Sequence, residues 1–488
     1  MAREDYTNID GNKTHRRFHI ALLCLATLTI VLQATASVAL DLAAAIDTVL
    51  SDPAFRHGAS GVLVESLRDG RTIYSRNADK IFMPGSNMKL LTTAAALDAL
   101  GPGCRFRTRF YFNGRASDHV WRGDLYIKGG GDPTLRSEHL EEFARSLRRL
   151  GARRIDGAVV ADDTWFRGER LGSGWGWDDE QWYYAAPIGA LSLNGNSVQV
   201  FVMGARRAGS PPVVRIVPPT SVFVVRNQAV TVGSGEARLS VTRPHGASVI
   251  LVRGTVPCGY RSETPVERIS VPDPALYAAT SLMEALGRAG IAVRDRPKAG
   301  ATPKTARLLH THVSPPLSEI LALVNKRSDN TMAEVLFRTL AAGPGGAATE
   351  DEARAAETAF LKKAGGDPEA ALIADGSGLS RRNYISPANI IAVLRYMYGR
   401  RDFGAFVDSL PVAGRDGTLK SRMKGTIAEG NVRAKTGYLA QASSLSGYLT
   451  TSSGEPLVFS ILMNNHTCPN TQTKAAQDRI CDLLRGLP

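Results

Sequence analysis

Between residues 104 and 270 the texture of the sequence changes, and then it changes back. Ahead of this stretch, Gly61 to Leu67 and Thr72 to Ser75 read as two strands around an Arg68-Asp69-Gly70 turn. Asn87 to Leu100 then carries helical periodicity with an Ala-rich middle and stops at Gly101-Pro102. Within 104–270, short runs rich in Val, Phe, Tyr and Arg alternate with Gly, Pro, Asn and Asp, as at Ser197 to Met203 and Val213 to Val217. That is the signature of many short strands. From Pro274 the helical pattern returns, at 276–289, 317–325, 331–340 and 351–363. The chain finishes with strand patterns at 431–438, 444–450 and 457–463 and a short helix near 475–484. The economical architecture is an α/β (α+β) domain built from both ends of the chain, with a large mainly β insert between them. Insertion at a surface loop costs little closure entropy, so such an arrangement is physically cheap. The expected divisions are 1–36 as an export signal, 37–103 and 271–488 as two parts of one domain, and 104–270 as the insert in two subdomains.

The N-terminal division rests on a short pattern. Basic residues at Lys13, Arg16 and Arg17 precede an apolar stretch from Ile20 to Leu32, and Ala34-Thr35-Ala36 follows. This is the order of a secretory signal. The apolar stretch is shorter than the ~20 residues a spanning helix needs, although an uncleaved anchor is the competing reading. Cleavage would remove Cys24 and leave Cys104, Cys258, Cys468 and Cys481. Their closeness in sequence favours a Cys468–Cys481 pair, with free buried thiols as the alternative. Apolar residues are 43% of the chain and charged residues 22%, which fits a globular protein and argues against disorder. The net charge is +13. Its basic residues are scattered, with no zinc-finger spacing and no aromatic RNA-binding signature, so no nucleic-acid partner is expected.

Three short motifs carry chemistry. Ser86-Asn87-Met88-Lys89 opens a helix, which places Lys89 on the same face as Ser86, one turn later. The electropositive helix N-terminus favours negative charge developing on the serine oxygen. A lysine deprotonates a serine only if its own pKa is lowered, by burial or by a neighbouring cation. Lys435 is the expected cation. Ser328-Asp329-Asn330 falls between two helical patterns, where a turn aims the short side chains of Ser328 and Asn330 into a cleft. Lys435-Thr436-Gly437 lies on a strand, where Lys435 and Thr436 suit a terminal carboxylate and Gly437 is expected to let substrate backbone lie close. The N–H groups of Ser86 and Tyr438 would complete an oxyanion hole. Competing triplets are out of context. Ser421-Arg422-Met423-Lys424 heads no long helix, Ser75-Arg76-Asn77 precedes the nucleophile, and Ser192-Leu193-Asn194, which stays formally open, sits in a loop-rich stretch rather than between helices.

In this order the motifs resemble those of the penicillin-interacting serine acyltransferases. The long gap between Ser86 and Ser328 narrows the resemblance to the low-molecular-mass class C penicillin-binding proteins. These are the D-alanyl-D-alanine carboxypeptidase/endopeptidases of the peptidase S13 group. Other stretches fit the same family: Gly129-Gly130-Gly131-Asp132-Pro133, Gly174-Trp175-Gly176-Trp177-Asp178-Asp179, Ala190-Leu191-Ser192-Leu193-Asn194 and Asp375-Gly376-Ser377-Gly378-Leu379-Ser380-Arg381. The resemblance implies a β-lactamase/transpeptidase-like fold and an acyl-enzyme on Ser86. It implies peptidoglycan stem peptides as substrate and β-lactam antibiotics as covalent inhibitors. No metal or organic cofactor is implied, and the location is the periplasm or cell envelope, with peripheral membrane or wall association open. The family's insert carries an acidic residue that meets the amine of the peptide's third residue. The matching stretch here is Ala161-Asp162-Asp163-Thr164, and Asp162 is favoured over Asp163. Arg381 is expected to line the cleft. Tyr438 stands where a small residue is common in the family, which bears on substrate preference. A β-lactamase and a non-catalytic peptidoglycan-binding scaffold are the competing functions.

Overall fold

A computed structural model describes residues 41–342 and 346–488, so the expected signal at 1–36 lies outside the described residues. The two ends of the chain meet in one antiparallel sheet of five strands. Its order is Arg433–Leu439, Ala442–Thr450, Pro456–Asn464, Ala59–Ser66, Thr72–Arg76. The seam is the pairing of Ala59–Ser66 with Pro456–Asn464, in which Ala59 faces Asn464 and Ser66 faces Leu457. Alternate residues of a strand point to opposite faces. Val62 and Val64 therefore join one core, with Leu445, Phe459 and Ile480 of the C-terminal Asn470–Arg485 helix. Leu63 joins the other, with Leu90, Leu321 and Ile391. Both faces are covered, which is why these strands read as near-continuous apolar runs.

The Met88–Leu100 helix lies at the centre of the second core, buried from Met88 to Leu97. It packs among the helices Leu317–Arg327, Asn330–Thr339, Glu350–Lys363 and Pro387–Tyr398. A helix enclosed on all sides has little room for bulk, and the run Thr92-Thr93-Ala94-Ala95-Ala96 supplies small side chains there.

The insert has its own core. The hairpin Arg107–Ser117/Val120–Lys128 is the middle of a mixed sheet, joined by Val159–Asp162 and by Arg307–Val313. Two three-stranded sheets follow, one centred on Val249–Pro257 and the other on Ser197–Met203. The structure moves one expected boundary. The Pro274–Arg288 helix buries Ala278, Leu282 and Leu286 against Phe110, Ile127 and Leu147 of the insert. Arg307–Val313 pairs with the insert's hairpin. The chain thus leaves the insert near Val313 rather than at 270, because the apolar faces of those elements have their partners there.

The favoured Cys468–Cys481 pair is corrected. Cys104, Cys258, Cys468 and Cys481 are all free. Cys468 precedes the Asn470–Arg485 helix, whereas Cys481 is buried far along it. At 1.5 Å per residue that is roughly 16 Å from the helix start, and a disulfide spans Cα atoms no more than about 6.8 Å apart.

Candidate active site

Ser86 sits in a single 3-10 turn, Gly85–Asn87, that runs directly into the Met88–Leu100 helix. Two glycines bring this turn against the Arg433–Leu439 strand. Gly85 has φ +51°, and a Cβ on it would lie 2.9 Å from the Tyr438 nitrogen. A Cβ on Gly437 would lie 2.1 Å from Ser444 Oγ and 2.3 Å from the Pro84 carbonyl oxygen. Gly437 was expected to make room for substrate. It lines the cleft, but its missing side chain makes room for the protein's own nucleophile turn. Ser444 Oγ donates to the Pro84 carbonyl at 2.6 Å, and Asn87 Nδ2 donates to Ser446 Oγ at 2.7 Å. The serine is thereby pinned to the sheet from both sides.

Lys89 is fully buried. Its Nζ lies 3.0 Å from Ser86 Oγ and donates to Asn330 Oδ1 at 2.6 Å and to the Ser377 carbonyl at 2.7 Å. Burial lowers its pKa to about 8, against the opposing pull of Asp375, Glu334 and Asp329. Of the two expected causes, burial is the one that brings Lys89 toward neutrality. Lys435 is equally buried, and its pKa is pushed well down by burial first and by the charge of Lys89 second. Its Nζ donates to Ser328 Oγ at 2.9 Å and to the Thr436 carbonyl at 2.8 Å.

The Ser328-Asp329-Asn330 turn is built by capping. Ser328 takes the left-handed conformation, φ 56°, that ends the Leu317–Arg327 helix. Asp329 caps the Asn330–Thr339 helix by accepting from the Met332 N–H at 2.9 Å. Its carboxylate is occupied structurally, which leaves Ser328 and Asn330 to face inward. Asn330 Nδ2 donates to the Tyr184 carbonyl at 2.8 Å, so the insert touches the site directly.

Ser86, Ser328, Asn330, Thr436 and Gly437 line one cleft of about 1070 Å³. Lys89 and Lys435 lie buried behind it. Thr436 Oγ1 donates to Thr418 Oγ1 at 2.7 Å. Tyr438 is 58% exposed and lines the cleft, which leaves the ring largely in solvent. Arg381 also lines the cleft, and its Nη1 reaches the Ala440 carbonyl at 3.4 Å.

Asp162 is corrected. It is fully buried and its carboxylate is spent: it accepts from Lys128 Nζ at 2.8 Å, from Thr164 Oγ1 at 2.6 Å and from the Thr302 N–H at 2.8 Å. Burial pushes its pKa up, but these donors outweigh it and hold the group at about 2. It ties the end of the Val159–Asp162 strand to its neighbours and does not line the cleft. Asp163, the neighbouring alternative, accepts from the Leu191 N–H at 2.7 Å and pairs with Arg170 at 3.0 Å, again outside the cleft. The acids that do line the cleft from the insert are Asp178 and Asp179, in the Gly- and Trp-rich loop. Two adjacent carboxylates in a loop with no strand pattern were the available signal. Replacing Asp162 by Ala is expected to cost about 3 kcal/mol of stability, because it strips a buried pair of one partner. A urea titration reads this loss. A raised KM with an unchanged urea midpoint would return Asp162 to the substrate.

Sequence reading also missed the acceptors that steady the two polar side chains, the Ser377 and Tyr184 carbonyls. Backbone atoms carry no residue-type signature.

Residues 42–486 match the D-Ala-D-Ala carboxypeptidase 3 (S13) family. A D-alanyl-D-alanine carboxypeptidase of Actinomadura sp. (strain R39) is 36% identical over 450 residues, 89% of this chain and 82% of the relative. The crystal structure of penicillin binding protein 4 from Haemophilus influenzae superposes with a TM-score of 0.77 at 26% identity, covering 90% of this chain and 97% of that one. The same Haemophilus protein complexed with a β-lactam gives a TM-score of 0.74 at 25% identity, with coverage of 90% and 97%. The chain therefore belongs to the D-Ala-D-Ala carboxypeptidase 3 (S13) family of peptidases.

Proposed function

We propose that the protein is a serine D,D-carboxypeptidase/endopeptidase that works through an acyl-enzyme on Ser86. Its substrates are the D-Ala-D-Ala termini and the D,D-cross-links of peptidoglycan stem peptides. The observation that carries this is the approach of Lys89 Nζ to 3.0 Å from Ser86 Oγ in a buried setting that lowers the amine's pKa to about 8. Neutral Lys89 takes the Ser86 proton as Oγ attacks the carbonyl carbon between the two D-residues. The oxyanion accepts from the N–H groups of Ser86 and Tyr438. The C–N bond then breaks, and the leaving nitrogen receives a proton through Ser328. D-Alanine or the cross-linked amine departs, and water hydrolyses the ester. Asn330 holds the amide of the acyl side. Thr436 holds the carboxylate of the leaving side from the cleft wall, and Lys435, buried behind it, acts through its bond to Ser328 Oγ.

Asp178 and Asp179 take over the role first given to Asp162 and accept from the side-chain amine of the peptide's third residue. Arg381 and the Tyr438 ring border the cleft and bear on which peptides fit. β-Lactams acylate Ser86 by the same attack, opening the lactam ring. The working location is the cell envelope, with any membrane or wall association peripheral.

Intact-mass measurement after adding benzylpenicillin tests this. The expected result is a long-lived adduct that maps to Ser86. Unmodified protein in a solution of hydrolysed drug would make the chain a β-lactamase. If protein and drug both stay intact, the assigned machinery is idle and a scaffold role replaces it.

A further inference from the structure

A second cavity, of about 290 Å³, lies behind the Ser328-Asp329-Asn330 turn. The insert walls one side and the turn walls the other. It shares Tyr184, Ser328 and Asn330 with the catalytic cleft, and no residue from Thr436 to Ala440 lines it. Three arginines, Arg136, Arg268 and Arg327, line it. Among the described residues none of the three pairs with a carboxylate. Asp329 is the acid in this wall, and its carboxylate already caps a helix. Arg268 is the best placed. Its guanidinium lies 4.0 Å above the Tyr183 ring, which holds its plane, and its Nε is buried without an acceptor. A buried donor without a partner is uncommon, and a ligand oxygen would satisfy it. Neutral Asn194 and Gln199 also line the cavity.

We propose that this cavity is an anion subsite that takes a carboxylate of the substrate peptide on the acyl side of the cleaved bond. A planar guanidinium fork matches a carboxylate bidentately. The acyl side follows from position: the cavity opens beside Asn330, which holds the acyl-side amide, and away from the strand that holds the leaving carboxylate. This subsite presupposes the peptidase reading above.

The test uses Ser86→Ala protein and two peptides ending in D-alanyl-D-alanine, titrated calorimetrically. Both carry an amine-bearing residue before the two D-alanines. The residue before that bears either a free carboxylate or its carboxamide. The carboxylate peptide is expected to bind about tenfold more tightly, the scale of one charge-assisted bidentate contact. Adding Arg268→Gln should shrink that gap to about twofold or less. Arg136→Gln, at an exposed position that the fold tolerates, should narrow it too. Equal affinities, or a gap that survives both substitutions, would overturn the subsite. So would binding of inorganic phosphate without any gap between the peptides, which marks a site for free anions. Cleavage by the unsubstituted enzyme reads the peptidase assignment separately. Tighter binding of the carboxylate peptide with no cleavage of either would sink that assignment and leave the subsite standing.

Discussion

Lys89→Met slows acylation of Ser86 by benzylpenicillin about 10³-fold, the scale of a lost general base. Methionine fills nearly the same volume and carries no proton acceptor for the serine hydroxyl. The fold survives, because the substitution also removes the need to bury an ammonium group. Two acceptors, Asn330 Oδ1 and the Ser377 carbonyl, lose their donor, at about 1–3 kcal/mol each. The pH dependence separates a lost base from a merely loosened site. With a pKa of about 8, Lys89 is charged below that pH and neutral above it. The wild-type acylation rate therefore falls as pH drops through about 8, roughly tenfold per unit below it. Lys89→Met abolishes that slope along with the rate. A wild-type profile flat from about pH 6 to 9, or a variant within about tenfold of wild type, would remove Lys89 from the role of base.

Gly437→Ala lowers acylation by about 100-fold, through geometry alone. The new methyl group would stand 2.1 Å from Ser444 Oγ and 2.3 Å from the Pro84 carbonyl. No real Cβ tolerates such contacts, so the Pro84–Asn87 turn must retreat from the strand. Ser86 retreats with it, away from the Tyr438 N–H. A displacement of about 1 Å at a reacting atom is enough for a loss of that size. Overpacking also costs about 1–3 kcal/mol of stability. Stopped-flow acylation and thermal melting together read both effects. Normal acylation in a destabilised protein would mean that the turn is held by something other than its fit to Gly437.

Much of the site was legible because its chemistry demands particular side chains at particular places. Ser86 and Lys89 need one helix face, and the Asn87–Leu100 periodicity displayed it. Ser328 needed a break between helices, and the structure provides one with a left-handed residue and an aspartate cap. The two halves of the main sheet were legible as well, since strands buried on both faces leave long apolar runs. What failed was whatever depends on three-dimensional neighbours. Asp162 looks like a cleft acid in sequence, and only Lys128, Thr164 and Thr302 reveal it as a structural knot. The purpose of Gly437 depends on Pro84, far away in the chain. The Pro274–Arg288 helix could have packed on either core, because its periodicity shows a face and not a partner. The Arg307–Val313 strand went unseen because partial exposure breaks its apolar alternation.

The seam between Ala59–Ser66 and Pro456–Asn464 has a further consequence, for the order in which the molecule is made. During synthesis the insert emerges with all the partners of its own core. The nucleophile turn emerges earlier still, but the strands that fix it come from the last part of the chain. A link across so much sequence closes slowly and late. Until the final hairpin docks, Ser86 has neither Gly437 beside it nor the Tyr438 N–H above it. A chain that lacks the Arg433–Leu439 strand therefore carries its serine unarmed.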